Sequence, residues 1–92
     1  MKKINPTQIW DNGILKTAHW ILVKSSYDDL LSEAVFCFQL FENIDNTEMP
    51  GQMITSGNLT ISGQDYQNWN SDPDINTSAY IWVTGQLNIT LQ

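Results

Sequence analysis

Arginine is absent from this 92-residue chain, and the four basic residues, Lys2, Lys3, Lys16 and Lys24, all lie near its N-terminal end. Ten acidic residues leave a net charge of −6. Without a basic stripe no counterions are released from a polyanion, and without arginine the commonest bidentate reader of guanine and phosphate is missing. Nucleic acid is therefore excluded as a partner, and an anionic membrane surface is disfavoured by the same charge balance. The longest apolar runs, Trp20–Val23 and Ala34–Phe38, are far shorter than the roughly 20 residues of a spanning helix.

Cysteine and histidine occur once each. A single Cys37 closes no internal disulfide, so the cross-linked framework of a small secreted domain is excluded. Met1 is followed by Lys2 and Lys3 but by no apolar signal segment, so synthesis in a cytoplasm is expected. His19 stands between Ala18 and Trp20 with no nucleophile or carboxylate motif beside it, and Cys37 lies between Phe36 and Phe38. Both read as structural residues of strands, and no catalytic residue is expected.

Metal binding has one partial motif. Asp72-Pro73-Asp74-Ile75-Asn76 begins like a calcium loop, but Thr77 replaces the turn glycine and Val83 replaces the bidentate glutamate. A turn with helix capping is the expectation there, with no metal and no cofactor. Adjacent carboxylates such as Asp28 and Asp29 diverge into solvent from a turn, which is the wrong geometry for an acid–base pair.

What the chain does have is aromatic and apolar content. Four Trp, three Tyr and three Phe, within a hydrophobic fraction of 41%, provide for a packed globule rather than a disordered chain. Ninety-two residues make one domain, Met1 to Gln92. A polar leading segment ends at an Asn12-Gly13 turn. Leu15–Tyr27 then reads as a buried strand, and Leu31–Glu42, rich in Val and Phe, as its antiparallel partner across an Asp28-Asp29 turn. A helix over Tyr27–Leu40 is the competing reading, disfavoured by Val35-Phe36-Cys37-Phe38.

Glu42–Gly51 reads as a loop. Gln52–Ile61 alternates as a third strand, with Met53, Thr55, Leu59 and Ile61 on one side and a bulge or turn at Ser56-Gly57. Ser62 can cap a two-turn helix holding Tyr66 and Trp69 on one face, and Asn70–Pro73 breaks it. Asp74 can cap a second helix, whose stripe of Ile75, Ala79, Tyr80, Trp82 and Val83 runs to Gly85 as the residue after the C-cap. Leu87–Leu91 alternates as a closing strand. The fold class is α+β, an antiparallel β-meander with a short helical insertion before a closing C-terminal strand.

Trp20 and Trp82 sit among apolar neighbours and read as core. Trp10, beside Asp11, and Trp69, beside Asn68 and Asn70, are the candidates for interface anchoring, together with Tyr66 on the face of Trp69.

The C-terminal third, Asn58-Leu-Thr-Ile-Ser-Gly-Gln-Asp-Tyr-Gln-Asn-Trp69 followed by Ala79-Tyr-Ile-Trp-Val83 and Leu87-Asn-Ile-Thr-Leu91, resembles a pattern seen in small virion proteins of tailed bacteriophages. It covers about 35 of the 92 residues. The resemblance implies a non-enzymatic structural or accessory subunit of a head, neck or tail, made in the host cytoplasm and carried in the virion. Its partners would be copies of itself, as a homo-oligomer, and other virion proteins. Two further readings compete. One is a small acidic inhibitor of a host defence protein, although the carboxylates are spread through turns rather than gathered on one face. The other is a carbohydrate-binding module using Trp10 or Trp69, which requires exposed, coplanar rings.

Overall fold

The computed structural model describes all residues, Met1–Gln92. Four antiparallel strands, β1 (Lys2–Asp11), β2 (Ile14–Asp28), β3 (Glu33–Asn43) and β4 (Pro50–Ser62), form one sheet in the order β1-β2-β3-β4. Two helices follow, α1 (Gly63–Asn70) and α2 (Ile75–Gln86). The α+β class and the meander agree with the sequence reading. Neither helix is long and apolar enough to cross a membrane.

The leading segment, to which the sequence reading assigned no element, is a ten-residue strand. Its polar residues and Pro6 hide the alternation, and pairing with β2 supplies the order that local pattern does not. The Asn12-Gly13 turn makes that pairing possible. Both residues have positive φ, 51° and 79°, as a two-residue hairpin with the handedness of twisted strands requires. Between Lys3 and Thr7 the register slips, and Asn5 turns outward to donate its N–H to the Thr90 carbonyl at 2.9 Å.

The expected closing strand is reduced to a single bridge, Ile4 to Leu91. Helix α2 continues past Gly85, so Gly85 is not the residue after the C-cap. Asn88 takes that role with φ 56°, donating to the Gly85 carbonyl at 3.3 Å while Ile89 donates to the Thr84 carbonyl at 2.9 Å. These paired bonds satisfy two terminal carbonyls and consume the residues that would have begun the strand.

The bulge of β4 also lies elsewhere. Phe38–Gly57 and Gln39–Ser56 pair regularly, whereas Leu40 faces Thr55 and Phe41 faces Met53, which leaves Ile54 as the extra residue. The slip reverses the alternation, so Ile54 is buried with Ile61 while Met53 is exposed. Gly57 permits the Phe38 ring to lie over the strand: a Cβ there would stand 2.8 Å from the ring's Cζ.

Both helices pack on one face of the sheet. The core between them comprises Ile21, Val23, Ala34, Phe36, Leu40 and Ile61 from the strands, and Tyr66, Trp69, Ala79, Tyr80 and Val83 from the helices. Phe36 is its centre, with ring centroids 5.0 Å from Trp69 and 5.8 Å from Trp82 in edge-to-face arrangements. No element covers the opposite face of β2, β3 and β4.

Candidate functional site

The proposed interface residues fall in different places. Tyr66 is fully buried and Trp69 nearly so, 0% and 5% exposed, whereas Trp10 is 72% exposed. The reason is α1, which lies against the sheet with both aromatic rings turned inward, their centroids 5.8 Å apart. Tyr66 Oη donates to Asp28 Oδ1 at 2.8 Å, and Trp69 Nε1 donates to the Ile75 carbonyl at 2.8 Å, so each polar tip finds a partner within the fold. Burial and the Asp28 carboxylate push the Tyr66 phenol up to about 12. With Trp69 inside, Trp10 and Trp69 form no two-ring platform for a sugar.

Trp82 packs against the core and donates to Asp65 at 3.2 Å. Trp20 departs from the core assignment. It lies on the uncovered face, partly exposed, with Nε1 donating to Asn43 Oδ1 at 2.7 Å.

The turns account for the carboxylates singled out in the sequence. Asp29 Oδ1 accepts from the backbone N–H groups of Leu31, Ser32 and Glu33 at 2.7–3.0 Å. Those three bonds, that of Glu33 foremost, hold its carboxyl far below the usual carboxylate range. Asp28 Oδ1 accepts from the N–H of Leu30, which the turn holds at φ 62° although it is not glycine. Asp74 caps α2, accepting from Thr77 N at 3.1 Å and Thr77 Oγ1 at 2.8 Å, while Asp72 accepts from Asp74 N. The capping bonds from Thr77 hold the Asp74 carboxyl below the usual carboxylate range. The Asp72 and Asp74 carboxylates of the calcium-like motif thus bond within their own turn, and no group of three or more His, Cys, Asp or Glu converges anywhere.

His19 and Cys37 lie on different strands and share no recess. His19 lines a polar hollow of about 430 Å³ between β2 and the β3–β4 loop, with Lys16, Thr17, Glu42, Asn43 and Asp45. A smaller cleft of about 140 Å³ lies between Val23 and Ser25 of β2 and Ile75, Asn76 and Ala79 of α2, floored by Phe36 and Trp69.

The surfaces that sequence reasoning left undefined are the edges. On its outer side β1 meets the C-terminal residues, through Asn5 N to Thr90 O and Gln92 N to Lys3 O at 3.1 Å. Along β4, by contrast, the strand pairs only with β3, and none of its thirteen residues is charged. Absence of Asp, Glu, Lys and Arg from Pro50–Ser62 is visible in the sequence; that the segment stands at an edge is not.

No protein-family model matches the chain, and neither the curated proteins nor the solved structures contain a match.

Proposed function

We propose that the protein acts by assembly, as a non-enzymatic subunit that adds its edge strand to a neighbouring chain. The observation that carries this reading is β4: a thirteen-residue edge without one charged side chain. An edge strand presents a row of unpaired N–H and C=O groups, and chains that remain apart blunt such edges with lysine, inward charges or short length. Here the blunting lies in the first part of the strand, at Pro50 and at two register shifts, one at Ile54 and one between the Phe41–Met53 and Asn43–Pro50 pairs. From Thr55 to Ser62 the edge is regular, long enough to accept a strand of ordinary length.

The virion of a tailed bacteriophage is the setting in which we place this subunit, on the resemblance carried by Asn58–Trp69, Ala79–Val83 and Leu87–Leu91. Repetition of one small subunit is the general mode of such particles and matches a chain whose surface offers pairing rather than chemistry.

Light scattering on the purified chain and mass spectrometry of gradient-purified particles test the reading together. A mass above the 10.5 kDa of one chain, or recovery of the chain in particles, is expected. A chain that stays monomeric from micromolar to millimolar concentration and is missing from particles would overturn it.

A further inference from the structure

The face of the sheet opposite the helices has an apolar centre. Cross-strand pairing sets Trp20 beside Phe41, Phe41 beside Met53, Lys24 beside Cys37 and Tyr27 beside Val35, all on this face, with Leu22 between Trp20 and Lys24. Trp20, Leu22, Val35, Cys37 and Phe41 take no part in the core and are partly exposed, shielded only by one another. Tyr27 and Met53 at the margins are 55% and 44% exposed. Gln39 beside Leu22, and Ser56, Asn58 and Thr60 along β4, interrupt the apolar groups with polar ones, so the apolar part of this face centres on Trp20, Leu22 and Phe41.

Charge and size select the occupant. The charged groups here are Lys24, Glu33 and the Lys3–Glu48 ion pair, two of each sign, so the whole net charge of −6 lies off this face. A second copy can therefore approach this face without net like-charge repulsion. Three strands, β2, β3 and β4, about 4.8 Å apart and about 36 Å long cover about 500 Å² in projection, at the small end of what each partner contributes to a specific interface.

Resting on the assembly reading, we infer that this face is the contact between two copies of the chain, packed sheet against sheet about a twofold axis. The result is a four-layer particle, helices outside and two sheets inside, with the β4 edges left free for further growth. The contact closes over Trp20 and Phe41, the paired aromatic rings of the face.

Cys37 reports on this contact because it is the sole cysteine and neighbours the middle residue of β3. A bismaleimide spanning about the 10 Å between packed sheets is expected to join two chains through it, and light scattering is expected to give twice 10.5 kDa. Leu22→Lys, which sets a like charge against its symmetry mate, is expected to return the mass to one chain with an unchanged circular dichroism spectrum. Gln86→Lys, on the far end of α2, is expected to leave the dimer intact. A single-chain mass throughout the micromolar range overturns the inference, as does a dimer in which Cys37 fails to cross-link. In that last outcome the contact lies elsewhere, at the β4 edge, and the assembly reading stands while this one falls. Should Leu22→Lys fail to fold, the wild-type cross-link decides.

Discussion

At the scale of single residues, Phe36 does the most. It is fully buried, joins β3 to both helices through Trp69 and Trp82, and forms the floor of the small cleft beside α2. Truncation of such a ring removes its transfer energy and leaves a cavity that the two indoles cannot fill together. Phe36→Ala is expected to cost about 3–5 kcal/mol, a large share of a small domain's stability, read as a fall in urea midpoint. A loss under about 1 kcal/mol would mean that the helices do not depend on this contact. The residue was legible in the sequence as part of an apolar strand, but its central place was not, because nothing local says that the rings of Trp69 and Trp82, on two helices later in the chain, converge upon it.

Tyr66 and Trp69 show the same limit from the other side. Their polar neighbours, Asp65, Gln67, Asn68 and Asn70, suggest a surface pair, and their three-residue spacing correctly places them together. Which way the shared face points is decided by how α1 sets against the sheet, and it points inward.

At the scale of elements, the β2–β3 turn depends on one carboxylate. Asp29 accepts three backbone N–H bonds, and its folded pKa is depressed relative to an ordinary aspartate near 3.9. A depressed value means that the charged form stabilises the fold above about pH 4 and that this contribution is lost as pH falls toward the folded value. Denaturant titrations between pH 2 and 6 are expected to show stability falling with pH below about 4. Asp29→Asn is expected to be less stable than wild type at neutral pH and to fall less steeply over the same range. Equal slopes for the two proteins would show that the turn bonds do not couple to stability.

The end of α2 is a second element governed by one residue. Asn88 in the left-handed region ends the helix where Gly85 was expected to, and so positions Ile89 in the core and Leu91 beside Ile4. Asparagine tolerates that conformation far better than a branched residue does, at a penalty of about 1–2 kcal/mol for the latter. Asn88→Val is accordingly expected to lower stability by about that amount and to speed hydrogen exchange at Asn5, whose N–H reaches the Thr90 carbonyl. Unchanged exchange at Asn5 would separate the helix end from the bridge. The sequence offered glycine as the stronger stop signal, yet helix-favourable packing of Tyr80, Val83 and Thr84 carried the helix one turn further.

At the scale of the whole molecule, the shape is a twisted sheet with a one-sided layer of helices, 43 × 26 × 19 Å in extent. Two layers are the least that buries one face of a sheet, and the second face is left to solvent or to a partner. Both surfaces that the assembly rests on, the β4 edge and the open face, arise at this scale, and their two tests separate them.

Sequence alone determined the elements whose signals are local: the β-branched and aromatic runs of β2 and β3, the alternating run of β4, the Asn12-Gly13 turn, the Asp74 cap and both helices. These follow from backbone preferences, side-chain period and short-range hydrogen bonds, which neighbouring residues carry by themselves. Tertiary structure decided that Lys2–Asp11 is a strand, that Tyr66 and Trp69 face inward, that Trp20 faces outward and that β4 stands at an edge. Each of those depends on which element lies across from which, and the free energy of that choice comes from buried area shared between residues distant in the chain.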